Sequence, residues 1–182
     1  MIIRATWAAG AAAVAANKLN RPVNVTMNLS DNMRMIGKRH PFLCDYDVGF
    51  DDTGKITALK LTYYTDGGCS FDSTPGIMDM ALTTADNCYY FPNYKVEGID
   101  CYTNLPSNTA TRAPGCFPSI FFVESVLEAV ADYLQLSPDV VKPLNFYTKN
   151  QVTPYGQKLS YFKYVSSLSL SLSLSLSLSL SF

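Results

Sequence analysis

Apolar and polar positions alternate along residues 42–50, FLCDYDVGF, and again along 55–68, KITALKLTYYTDGG. The turn signal DDTG at 51–54 stands between them, so the two runs predict a β-hairpin. The same period of two predicts strands at 23–29, VNVTMNL, and at 94–105, YKVEGIDCYTNL. Residues 119–134 change period: Val123, Val126, Leu127, Val130 and Leu134 fall on one helical face, while Glu124, Glu128 and Asp132 recur every four residues on another. That acidic row reads as a solvated helix face. An Ala-rich helix is predicted over 5–19, small enough in its side chains to pack close to a neighbour and ended by NRP at 20–22. Residues 76–91 read as helical, and a short helix starts at Ser137 with Pro138 in its first turn. The order of elements predicts a mixed α+β fold with no regular βαβ alternation.

The last stretch, 166–182, is different in kind: serine and leucine alternate strictly. As a strand it would place Leu168 through Leu180 on one face, an exposed apolar edge. A CT dinucleotide repeat translates as Ser-Leu, so a simple nucleotide repeat is the expected origin, and a low-complexity tail separate from the folded part at 1–165 is the expected organisation.

Composition narrows the function. The chain has 182 residues, 48% hydrophobic and 16% charged, which suits one domain or a piece of one. A net charge of −1 argues against nucleic acid or an anionic membrane as a partner. The apolar start is too short to cross a bilayer, and Arg4 and Trp7 interrupt a signal-peptide pattern. The five cysteines, Cys44, Cys69, Cys88, Cys101 and Cys116, are widely and irregularly spaced with no CxxC. Neither a zinc ribbon nor an iron–sulfur cluster finds its ligands in that pattern, and a reduced, cytoplasmic protein is expected. The sequons at Asn24 and Asn28 then carry little weight.

Familiar chemistry is scarce. The single histidine, His40 in GKRHPF, reads as structural; with Cys44 alone it cannot close a metal site. Neither GxGxxG nor GxxxxGK[ST] occurs. The loop TNLPSNTATRAPG at 103–115 stands out, because it surrounds one cation, Arg112, with small and turn-forming residues just before a helix. A guanidinium offers five donors in a planar fork, and a Pro/Gly-constrained backbone can aim its amides at an anion. Loop chemistry alone divides evenly between two readings: a phosphate or metal-oxo ligand, and an arginine paired with a carboxylate or with helix carbonyls.

A family resemblance weighs between them. The stretches RATWAAGAAAVAANKLNRPV (4–23), GKRHPFLCDYDVGFDDTGKITAL (37–59), ADNCYYFPNYKVEG (85–98), TNLPSNTATRAPG (103–115) and NQVTPYGQKL (150–159) resemble, in order and spacing, the molybdenum-binding part of the aldehyde oxidase/xanthine dehydrogenase family. The resemblance covers about residues 4–162 and implies that residues 1–165 are part of a larger molybdopterin-binding domain. It implies that Arg112 and Ala113 lie against the molybdopterin cofactor, with Arg112 beside the molybdenum without ligating it. The xanthine-oxidising branch usually reads Phe-Arg-Gly-Phe-Gly where this chain reads Thr111-Arg112-Ala113-Pro114-Gly115, so Pro114 stands where an aromatic stacks on a purine. Met80, in IMDMAL, falls where purine-oxidising relatives carry an arginine. A thioether offers no donor and makes an adaptable apolar wall. Met80 and Pro114 are therefore the expected substrate contacts, and they point to aldehydes rather than xanthine. For Met80 the residues alone favour a core position.

The family reaction is hydroxylation of an aldehyde or heterocycle carbon with oxygen from water. A glutamate acts as base, and electrons leave through two [2Fe–2S] clusters to FAD. The resemblance places that glutamate, the cluster ligands, the flavin domain and the motif Gly-Gly-Gly-Phe-Gly-Gly-Lys outside this sequence, so no catalytic residue is assigned in this chain. The expectation is a slice of a homodimeric, aldehyde oxidase-like enzyme, inactive alone, with apolar surface around Ile120, Phe121 and Phe122 left open. The competing readings are a slice of a xanthine dehydrogenase and a non-catalytic binding module.

Overall fold

The structure, a computed structural model, describes residues 5–35 and 37–160, with Met33 described by its backbone only. The Ser-Leu stretch lies outside the described residues. The element order is α1 (Ala5–Leu19), α2 (Leu29–Met35), β1 (Phe42–Phe50), β2 (Ile56–Gly68), α3 (Thr74–Thr83), β3 (Asn93–Tyr102), α4 (Cys116–Leu134) and α5 (Pro138–Leu144). The fold is α+β, as the patterning implies.

The hairpin forms as expected. Asp51 holds its turn: the Asp51 carboxylate accepts from the amides of Thr53 at 2.9 Å and Lys55 at 3.1 Å. β1 pairs antiparallel with β2, and β2 pairs parallel with β3, giving the order β1-β2-β3. The parallel pair makes a single βαβ unit, with α3 as the crossover between β2 and β3, inside a fold that has no regular βαβ alternation. Patterning describes one strand at a time and says nothing of the direction of its neighbour.

One face of the sheet carries the core. Ile56, Leu59, Leu61 and Tyr63 of β2 meet Val123, Val126, Leu127 and Val130 of α4, all buried. The predicted face of α4 is the face that packs. The helix begins three residues earlier than its periodicity suggests, at Cys116. Pro118 sits in that first turn, where a missing N–H costs little. Behind the hairpin turn, the buried Asn145 amide donates to the carbonyls of Gly54 and Val141, each at 2.9 Å, and its Oδ1 accepts from the Ile56 amide.

Three local expectations need correction. Residues 23–28 form no ladder with any described strand. Instead Asn28 starts α2, its Oδ1 accepting from the Asp31 amide at 2.8 Å. Asparagine competing for nearby backbone in this way is a helix-start signal that period two conceals. α3 ends at Thr83 rather than 91; the Thr83 and Thr84 hydroxyls donate back to the Met80 carbonyl, and Asn87 takes φ 49°. Finally, Glu124 is half-buried and paired rather than part of a freely solvated row. Its Oε1 accepts from Asn87 Nδ2 at 2.9 Å and the Tyr89 hydroxyl at 2.7 Å, and its Oε2 pairs with Lys142 at 3.0 Å. Those partners come from two separate parts of the chain, 87–89 and 142, which helical periodicity cannot report.

Apolar surface is open where expected and beyond. Phe117, Ile120, Phe121 and Tyr133 are exposed along α4, whereas Phe122 turns in against Tyr63 with ring centroids 5.7 Å apart. α1 buries no residue and leaves Trp7, Val14 and Leu19 exposed.

Candidate functional site

The loop 103–115 packs between the C-terminal ends of β2 and β3, the start of α3 and the strap 37–41. Its polar residues are what bury it: Ser107, Asn108 and Thr109 are all shielded from solvent. Asn108 donates from Nδ2 to the Asp66 carbonyl at 2.8 Å, and its own amide donates to the Gly67 carbonyl at 3.0 Å. The Asp66 carboxylate accepts from the Thr103 hydroxyl at 2.7 Å and the Gly68 amide at 2.8 Å. The Ala110 amide donates to the Ser73 hydroxyl at 3.2 Å. Each buried polar group named here has a partner, so the loop is a built structure rather than a floppy connection.

Residues 111–115 then turn into α4. Ala113 has φ 52° and Gly115 φ 75°, two left-handed residues flanking Pro114. The left-handed basin is open to glycine and strains alanine. Gly115 also presses on α3: a Cβ built on it would stand 2.2 Å from the Ile77 carbonyl oxygen, 2.8 Å from the Ala81 nitrogen and 3.1 Å from the Met80 Cβ. The structure therefore brings together the two places singled out in the sequence. The Arg112–Gly115 turn lies against the helix that carries Met80. Met80 itself points away from the core and is 41% exposed, so the core position favoured by the bare residues is not what forms.

Arg112 and Ala113 are exposed, and Pro114 is half-buried. Among the described residues the Arg112 guanidinium has no hydrogen-bond or ion-pair partner, so the internal carboxylate reading of this arginine finds no support. Gly115 is the N-cap residue of α4, with no side-chain cap and no acidic residue in the first turn. An uncapped helix N-terminus carries partial positive charge, and here it adds to the cation three residues earlier. The missing Cβ of Gly115 accommodates α3, so the turn presents Arg112 and Ala113 outward. The donor set fits an anionic group such as a molybdopterin-bound oxo-metal.

His40 closes the other side of the site. It is buried, and its Nε2 lies 2.8 Å from the Thr74 hydroxyl at the start of α3. Burial lowers its pKa below the ordinary value, against the upward pull of the Asp72 and Asp66 carboxylates. A base with a lowered folded pKa binds its proton more readily when unfolded. Its stability contribution is thus fully present above the ordinary value of about 6.5 and is lost as pH falls below that toward the folded value. The stability advantage of the chain over His40→Asn should shrink on acidification. Urea midpoints compared between about pH 5 and 8 check this; a pH-independent difference contradicts it.

Sequence reasoning missed the residues that hold this loop: Asn108, Asp66, Gly37 and Arg39. A run of Ser, Asn and Thr without hydrophobic period and without charge was the available signal for Asn108, since such a run can be buried only if every polar group is paired. All five cysteines are free thiols. Among the described residues no three His, Cys, Asp or Glu converge on a metal position, and no helix is long and apolar enough to cross a membrane.

Comparison with known proteins decides the lineage. The profile of the molybdopterin cofactor-binding domain matches residues 3–146. The chain belongs to the molybdopterin cofactor-binding domain family. Aldehyde oxidase 1 of the rabbit Oryctolagus cuniculus is 39% identical over 159 residues, covering 87% of this chain and 12% of that protein. Xanthine dehydrogenase of Oryza sativa subsp. japonica is 42% identical over 151 residues, covering 83% of this chain and 11% of its own length. Among solved structures, the aldehyde oxidoreductase of Desulfovibrio desulfuricans superposes with a TM-score of 0.80 at 23% identity, over 90% of this chain and 18% of that one. At that identity the likeness establishes the fold. The chain spans 11–12% of the length of these curated relatives. Both aldehyde- and xanthine-oxidising members stand at similar identity, so membership assigns the chain to the molybdenum hydroxylases without choosing a branch.

Proposed function

We propose that residues 1–165 form one wall of the molybdopterin site in an aldehyde oxidase-like molybdenum hydroxylase, which converts aldehydes to carboxylic acids with oxygen from water. The observation that carries this reading is the contact between the Arg112–Gly115 turn and the Met80 helix, with an unpartnered cation on one and an exposed thioether on the other. When bound, the molybdenum–molybdopterin group supplies the oxygen transfer and accepts the electrons; the protein supplies position and electrostatics. Arg112 and the Ala113 backbone face that group, Arg112 near the molybdenum as a charge and not as a ligand. Met80 and Pro114 form the apolar side of the substrate cavity. Neither offers a donor to the polar edge of a heterocycle, which favours aldehydes over purines.

On this reading no residue of the chain is the general base. Iron–sulfur clusters, flavin, the homodimer contact and the cytoplasmic setting belong to the complete enzyme. The reading is tested by the substrate preference of a complete enzyme carrying this segment. Aldehyde turnover in excess of xanthine turnover is expected, and preference for xanthine overturns it.

A further inference from the structure

The strap Gly37–Pro41 runs alongside the Arg112 loop and touches it at every residue from Ser107 to Thr111 save Ala110. The Lys38 carbonyl accepts from the Thr109 amide at 2.9 Å, and the Lys38 amide donates to Asn108 Oδ1 at 3.2 Å. Gly37, at φ 80°, lies so close that a Cβ would stand 1.9 Å from the Ser107 carbonyl oxygen. Arg39 reaches further along the loop. Its Nη1 donates to the Thr111 carbonyl at 3.2 Å, and its guanidinium lies over the Phe117 ring, 5.6 Å from the centroid.

Those two contacts fall on opposite sides of one turn. Thr111 immediately precedes Arg112; Phe117 sits in the first turn of α4, just past Gly115, and its amide returns to the Ala113 carbonyl at 3.3 Å. The crevice between Arg39, Thr111, Pro114, Gly115 and Pro118 is too tight for a water molecule. A planar fork can donate at its edge while its face lies on an aromatic ring, a combination that an ammonium cannot reproduce.

We propose that Arg39 is a positioning residue: it ties the entry of the Arg112 turn to its exit and so fixes where the Arg112 guanidinium stands. The importance of that placement rests on the reading of Arg112 as the cofactor-facing cation. The brace itself rests on contacts seen within this chain.

Limited digestion of the 182-residue chain by trypsin, read by mass spectrometry, tests it. Arg112 is exposed and followed by Ala113, so cleavage after it reports how often the turn opens; Lys149, exposed and remote, is the reference site. In Arg39→Ala, cleavage after Arg112 should rise about five- to tenfold, with cleavage after Lys149 and the urea midpoint unchanged. Arg39→Lys should give an intermediate rate, since it keeps the carbonyl contact without the flat stacking. Phe117→Leu removes only the ring and should also accelerate cleavage, which keeps the test alive if Arg39→Ala folds poorly. An unchanged rate after Arg112 in these variants, or equal acceleration at both sites, overturns the brace. In a complete enzyme carrying this segment, faster cleavage in Arg39→Ala with undiminished molybdenum would leave the brace standing and remove the cofactor reading.

Discussion

Gly115→Ala is expected to cost about 3 kcal/mol or more of stability and to expose Arg112 to protease. The new methyl would meet the Ile77 carbonyl at 2.2 Å and the Ala81 nitrogen at 2.8 Å, and both are backbone atoms of α3 that cannot rotate away. The residue would also have to hold φ 75°. The cheapest relief is for the Arg112 turn to lift off α3, which separates the two walls of the site. Gly76, in the same helix, is the internal control. Nothing lies within 4 Å of a Cβ built there, so Gly76→Ala should be neutral or stabilising by about 0.5–1 kcal/mol through helix propensity. Urea denaturation of the two variants measures the contrast. Equal losses would mean that the close approach of Gly115 to α3 does not exist in solution.

Met80→Arg, placed in a complete enzyme carrying this segment, should lower kcat/KM for an aromatic aldehyde by about 10- to 100-fold. The methionine is exposed on α3, and its Cβ lies beside Gly115 of the turn. Exchanging its thioether for a guanidinium puts a charge against an apolar substrate, which must then desolvate it without offering a partner. A heterocycle with carbonyl and ring-nitrogen acceptors loses less or gains, so the aldehyde-to-heterocycle ratio should fall in the same experiment. Steady-state kinetics on both substrate types checks this. Unchanged aldehyde turnover removes Met80 from the substrate wall and with it the preference for aldehydes over purines.

The legible parts of the fold were those set by local period. The alternation at 42–50 and 55–68 became β1 and β2, and the row Val123, Val126, Leu127, Val130 became the buried face of α4. What patterning could not give was set by partners distant in sequence. The parallel pairing of β3 depends on α3 crossing the sheet; the pairing of Glu124 depends on Asn87, Tyr89 and Lys142. At 23–29 a true period of two had no partner strand among the described residues, and an asparagine cap prevailed over strand propensity.

The candidate site followed the same division. Loop chemistry singled out Arg112, a family resemblance added its cofactor role with Pro114 and Met80, and the structure adds that the two segments are in contact. The holding residues lay beyond sequence reasoning. GKRH at 37–40 carries no period, and a close approach such as that of Gly37 to Ser107 is invisible until both segments are in place. The left-handed Ala113 was equally hidden, because alanine gives no signal for that conformation.

The central claim is that the Arg112 turn faces molybdopterin. The most direct measurement is the molybdenum and pterin content, per protein chain, of a complete enzyme carrying this segment as Arg112→Ala, set beside the unaltered protein and Arg112→Lys. The account predicts a marked loss of both molybdenum and pterin in Arg112→Ala at unchanged thermal stability of the protein, with partial retention in Arg112→Lys, which keeps the charge but not the fork. Full molybdenum and pterin in Arg112→Ala, with unaltered aldehyde turnover, would contradict it and return this arginine to the surface of the fold.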